Sequence, residues 1–231
     1  MPPASANGRR YDAVLFDAGN TLVHLDHARV AEIAGPGLDE AAVWRGDRAV
    51  RTNAVLLGQL AGGHLESWRH YMEFALSAAG LEPEAAANAA SRVFQAHLQR
   101  NLWRRVPPDV APTLRHLRAA GYKVGVISNA EGTVEQLLTE VGLAGLLDFI
   151  IDSHLVGLEK PDPRIFELGL ERAGTEPSRT LYVGDIYSVD VLGARGAGLD
   201  AALLDTFGVY RDVDCPRLLT LGDVLKLVDE P

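Results

Sequence analysis

Two hydrophobic patterns divide the chain, and the change from one to the other is sharp. Tyr11 to Phe16 (YDAVLF) is a short apolar run ending at Asp17, which predicts a buried strand. A polar turn follows over Ala18 to Thr21. From about Ala28 to Trp103 the apolar positions recur at helical spacing instead. Asp39 is placed to cap a segment that continues through Ala49 to Leu60, where Gly62-Gly63 breaks it. His64 to Ala79 carries an apolar face (Leu65, Trp68, Met72, Phe74, Ala75, Leu76). Gly80 ends that helix, and Glu84 to Leu102 forms the next. No strand is expected in this stretch, and Pro107-Pro108 closes it.

Beyond Pro108 strands and helices alternate. The expected strands are Lys123 to Ile127, Phe149 to Ile151, Thr180 to Val183 and Ala201 to Leu204. The expected helices are Asp109 to Ala120, Thr133 to Val141, Pro163 to Ala173, Val189 to Ala197 and Leu221 to Val228. Short apolar strands separated by helices predict a parallel sheet covered on both faces. The expected fold is therefore a doubly wound, Rossmann-like α/β core with an inserted all-helical cap. Its expected parts are a loose tail over 1–10, the core over 11–26 and 106–231, and the cap over 27–105.

In such sheets ligands bind beyond the carboxyl ends of the strands. Those ends carry Asp17, Ser128 and Gly184-Asp185, and the loop before Pro163 carries Lys160. Two carboxylates, a hydroxyl and an ammonium suit metal-assisted phosphoryl transfer, a reaction governed by positioning and charge neutralisation.

The segment Phe16 to Leu22 (FDAGNTL) resembles the first motif of haloacid dehalogenase superfamily hydrolases. Ile127 to Asn129 (ISN) looks like the second, Lys160-Pro161 the third, and Gly184 to Asp190 (GDIYSVD) the fourth. The resemblance covers nearly the whole chain outside the helical insert. It implies a Mg²⁺-dependent phosphomonoester hydrolase in which Asp17 is the nucleophile and forms an aspartyl-phosphate. It further implies that Asp17, the Gly19 carbonyl, Asp185 and Asp190 serve the metal. Ser128, Asn129 and Lys160 would bind the phosphoryl group, with Ser128 and Lys160 also among the catalytic residues.

One position departs from the pattern. Phosphatases of this family carry an Asp two residues after the nucleophile, as general acid and base, and here that residue is Gly19. Asn20 stands where Gly is usual. A catalytically weak or inactive protein that binds Mg²⁺ and a phosphate-containing ligand is the alternative reading. A haloacid dehalogenase is less favoured, because Asp185 and Asp190 are present. His24, His64 and His70 are candidate substitutes for the missing acid, although packing or surface roles are the commoner fate of such residues. Trp44, Trp68 and Trp103 read as packing residues, and the Arg100 to Arg105 run as a solvated face.

Charge narrows the partners. Lys and Arg number 22 against 31 Asp and Glu, a net charge of -9, which argues against nucleic acid. A small phosphorylated metabolite is the expected substrate. The lone Cys215 and the lack of a signal peptide or long apolar run point to a cytoplasmic protein without a membrane segment. No sequence feature decides the oligomeric state.

Overall fold

The computed structural model describes residues 9–53 and 65–229. The expected helical run from Ala54 to Leu60, the Gly62-Gly63 break and His64 lie outside them. The described residues fall into two compact units, one formed by the stretches up to Val23 and from Val106 onward, the other by His24–Arg105.

The first unit opens with β1 (Ala13–Phe16), whose four side chains are fully buried. Burial on both faces of the strand explains why its apolar run does not alternate.

The second unit is mostly helical. It contains β2 (His24–Leu25), α1 (His27–Ala34), α2 (Glu40–Arg51), α3 (Leu65–Ala78), α4 (Pro83–Gln99) and β3 (Trp103–Arg105). Asp39 caps α2 by accepting from the Ala42 N–H, and Asp26 caps α1 through Arg29 N–H. Gly46 lets α2 and α3 approach closely, since a Cβ there would lie 2.0 Å from the Ala75 carbonyl oxygen. The unit is not all helix, contrary to expectation. The α4 helix ends at Gln99, and Trp103–Arg105 pairs antiparallel with His24–Leu25. The segments bracketing the insertion thus satisfy each other's backbone groups.

Returning to the first unit, the chain forms α5 (Val110–Ala119), β4 (Lys123–Ser128), α6 (Val134–Glu140), β5 (Phe149–Asp152), α7 (Ser153–Val156) and α8 (Pro163–Ala173). It continues through β6 (Thr180–Gly184), a π-helical turn at Tyr187–Val191, α9 (Leu192–Gly196), β7 (Asp200–Leu204), β8 (Arg217–Leu218) and α10 (Val224–Val228). The six strands form one parallel sheet in the order β5-β4-β1-β6-β7-β8. Expectation missed β8 and α7, which are too short to show a period. It also read Val189 to Ala197 as one regular helix, whereas the first turn there is π-helical.

From β1 the chain passes to β4 and β5 on one side, then crosses back to β6, β7 and β8 on the other. The topological switch point therefore lies between the carboxyl ends of β1 and β6. A core of Leu15, Ile127, Ile165, Phe166, Tyr182 and Val191 packs the sheet. Among the described residues no helix is long and apolar enough to cross a membrane.

Candidate active site

Asp17 follows β1 directly, and its N–H still bonds the Val183 carbonyl of β6 at 2.9 Å. Phe16 is in register with Val126 of β4 and Val183 of β6. Ser128, Asp17 and Asp185 therefore emerge from three neighbouring strands, whose backbones run roughly 5 Å apart. All three side chains are buried.

The turn after Asp17 is built around the Ala18 carbonyl, which accepts from Thr21, Leu22 and Val23 N–H, while Asn20 N–H reaches the Val23 carbonyl at 2.7 Å. None of these bonds uses the Gly19 carbonyl. Asn20 has φ of 51°, the left-handed region. That conformation explains why Gly is usual at this position and why Asn, the residue that tolerates it best after Gly, stands here.

Lys160 lies in the loop before α8, joined to Pro161 by a cis bond. Asn129 clamps its backbone from both sides. The Asn129 amide donates to the Lys160 carbonyl at 2.9 Å and its oxygen accepts the Lys160 N–H at 2.8 Å. The ammonium donates to Asp17 Oδ1 at 2.6 Å, Asp190 Oδ1 at 2.7 Å and the Tyr182 hydroxyl at 3.0 Å. Asp190 Oδ2 accepts from Ile186 N–H at 2.9 Å, which ties the π-helical turn back on itself. A Cβ on Gly184 would sit 2.3 Å from Asp190 Cγ, so only glycine leaves room for that carboxylate.

The charges follow from burial and pairing. Burial pushes the Asp17 carboxyl up to about 6, opposed by the Lys160 ammonium and reinforced by Asp190. Burial alone would depress Lys160, but the Asp17 and Asp190 carboxylates hold it well above the usual lysine value. It is a fixed cation.

Sequence reasoning missed two residues that shape the loop after β4. Asp152, at the end of β5 and in register with Ser128, accepts from Gly132 N–H at 3.1 Å, Val134 N–H at 3.2 Å and His154 N–H at 3.0 Å. Ser153 Oγ accepts the Ala130 N–H at 3.1 Å. Their signal was a carboxylate and a hydroxyl at a strand end, the same rule that singled out Asp17. The Ser128 hydroxyl makes no hydrogen bond to any described residue.

Of the histidines expected as possible substitutes for the acid, His24 and His70 belong to the second unit. Burial drives the His24 imidazole down to about 4, and the charges of Arg51, His27 and Arg105 add to that, so it is neutral at pH 7. His70 is exposed beside Arg69. Trp68 stacks on His97 at 4.2 Å and is buried, whereas Trp44 is exposed. Arg105 pairs with Glu40 on the surface.

Among the described residues no group of three or more His, Cys, Asp or Glu could hold a metal ion. Asp17, Asp185 and the Gly19 carbonyl instead offer two carboxylates and a carbonyl. Such an oxygen set is of the kind that suits Mg²⁺.

A family model described as haloacid dehalogenase-like hydrolase matches residues 11–198. The chain belongs to the haloacid dehalogenase-like hydrolases. Haloacid dehalogenase-like hydrolase domain-containing protein 3 of Bos taurus is 31% identical over 82% of this chain and 80% of its own length. Glyceraldehyde 3-phosphate phosphatase of Methanopyrus kandleri is 29% identical over 89% of this chain and 88% of its own. A solved 2-haloacid dehalogenase from Pseudomonas syringae has a TM-score of 0.60 and 26% identity, covering 94% of this chain and 97% of its own. The protein is thus a hydrolase of a family whose members include both phosphatases and dehalogenases.

Proposed function

We propose that the protein is a Mg²⁺-dependent phosphatase that hydrolyses a small phosphorylated metabolite through an aspartyl-phosphate on Asp17. The observation that carries this reading is the placing of Asp17 and Asp185 at the ends of adjacent strands, at the switch point of the sheet. A dehalogenase needs no such oxygen pair. The phosphatase named among the relatives supports the same choice.

Asp17, Asp185 and the Gly19 carbonyl would hold Mg²⁺, which when bound supplies Lewis-acid polarisation of the phosphoryl group. Lys160 engages Asp17 Oδ1, which leaves Oδ2 to attack phosphorus. The phosphorus–ester oxygen bond breaks as the phosphorus–Oδ2 bond forms, and the leaving oxygen takes a proton from water. Water then attacks the aspartyl-phosphate, giving inorganic phosphate and the free carboxylate. The Ser128 hydroxyl donates to a phosphoryl oxygen, and Asn129 acts on the phosphate indirectly, by fixing the Lys160 loop. Asp190 orients Lys160. Selection of the substrate would fall to the inserted helical unit.

Gly19 carries no proton. A missing general acid costs on the order of 10² to 10⁴ in rate, so substrates with good leaving groups are favoured. The test is phosphate release from an aryl phosphate, with Mg²⁺, with EDTA, and with Asp17→Asn. Mg²⁺-dependent release that falls at least about 10³-fold in the variant is expected. Release that survives Asp17→Asn overturns the nucleophile assignment. No release from the wild type shifts the reading to a binding protein.

A further inference from the structure

Tyr182 lies in the middle of β6 with its side chain fully buried, edge-on to Phe166 at 5.0 Å between ring centres. Nothing in the four motifs gives it a part to play. A tyrosine buried for packing alone would leave its hydroxyl to find whatever partner was nearest. Here the hydroxyl accepts from Lys160 Nζ at 3.0 Å and sits 3.0 Å from the Ile127 carbonyl and 3.4 Å from Asp190 Oδ1. It has one proton to give. Since the ammonium occupies it as an acceptor, that proton goes to the nearer Ile127 carbonyl. The hydroxyl stays neutral, because burial raises its pKa well above the ordinary value, as do Asp190 and Asp17, against the pull of Lys160.

An ammonium has three N–H groups and no acceptor. Those of Lys160 meet three acceptors inside the protein: Asp17 Oδ1, Asp190 Oδ1 and the Tyr182 hydroxyl. Two of these are anions and hold the charge. The third is neutral, stands on a central strand and is itself anchored to β4 through Ile127. Without it the ammonium would be free to swing about the line between the two carboxylates.

We propose that Tyr182 is a positioning residue whose hydroxyl completes a three-acceptor cage, fixing the Lys160 ammonium on Asp17 as the countercharge of the nucleophile. The role of the ammonium in turnover rests on the phosphatase reading; the cage itself does not. Lys160 then lowers the cost of a buried, ionised Asp17.

Full-length protein labelled with ¹⁵N-lysine tests this, because the chain has only the lysines Lys123, Lys160 and Lys226. Two of them are on the surface, so Lys160 is expected to give the one slowly exchanging ammonium signal at neutral pH. In Tyr182→Phe that signal is expected to broaden or to exchange about 10-fold faster, as one hydrogen bond is lost. The same variant is expected to lose about 5-fold in kcat while KM changes less than about 2-fold. An unchanged ammonium signal overturns the cage. A raised KM at unaltered kcat overturns the positioning role, since the loss would then lie in substrate binding and not in the charge on Asp17. If Tyr182→Phe fails to fold, the wild-type signals decide. A Lys160 ammonium that exchanges at least about 10-fold more slowly than those of Lys123 and Lys226 supports the cage, and one that exchanges as fast as theirs refutes it. Failure of turnover in the wild type would remove the phosphatase reading and leave the ammonium result standing.

Discussion

Among the described residues each unit buries a cluster built around one charge, and the two clusters are opposites in sign. In the α/β unit a cation, Lys160, is surrounded by acceptors from β1, β6 and the π-helical turn. In the helical unit an anion, Asp47, is surrounded by donors: His27 Nε2 at 2.7 Å, Arg51 Nε at 3.3 Å and the Tyr71 hydroxyl. Asp47 is fully buried. Burial would raise its carboxyl, but Arg51, His27 and Tyr71 together hold it below the usual carboxylate range. The difference lies in what each centre leaves open. The lysine cluster includes the proposed nucleophile and stands at strand ends, at the switch point of the sheet. The aspartate cluster joins α1, α2 and α3 and has no nucleophile. The first has the groups that the proposed chemistry needs, and the second ties helices together.

The sharpest way to break this contrast is Asp47→Ala. It removes the buried acceptor that Arg51, His27 and Tyr71 share, so a loss of roughly 3–5 kcal/mol in urea unfolding is expected. A loss below about 1 kcal/mol would show that the network does not hold the helices. Lys160→Met comes next. Its expected signature is kinetic, a loss of about 10² to 10³ in phosphate release, typical of removing a fixed electrostatic partner. Equal rates in wild type and variant would make the lysine cluster as structural as its counterpart.

Asp152→Ala probes the loop between the two kinds of role. It removes the acceptor of three backbone N–H groups, and about 1–3 kcal/mol of stability with a roughly 10-fold fall in kcat/KM is expected. Stability lost with kcat/KM intact would separate this loop from the site.

The smallest effect concerns His24, whose Nε2 is buried without a hydrogen-bond partner. Its folded pKa of about 4 lies below the ordinary 6.5. The unfolded chain therefore binds the proton more tightly, and the stability His24 allows is full above about 6.5 and is lost as pH falls through 4. Thermal unfolding of His24→Gln between pH 7 and 4 is expected to show a shallower decline than wild type. Parallel curves would mean that His24 does not govern the acid limb.

Much of the α/β unit was legible because its signals are local. Buried strands read as apolar runs, and Pro163 at the start of α8 with Gly174 at its end, φ 66°, marks that helix on its own. The β2–β3 pair was not legible, since two and three residues carry no period and their partner lies across the whole insertion. Asp47 and Arg51 illustrate a different limit. Four residues apart on a helix, they read as an ordinary solvated pair, and only the packing of α1 and α3 against α2 shows that water is excluded.

By itself the sequence determined the order of the longer strands and helices, the strand ends at which polar residues appear, and the glycine at position 19 where the resembled family carries an acid, because each is written in a few consecutive residues. Tertiary structure alone decided which groups share a proton or a charge. Lys160 stands 143 residues from Asp17 and 22 from Tyr182. Its three N–H groups are assigned by which acceptors the parallel sheet brings within 3.0 Å, a competition settled in space and not along the chain.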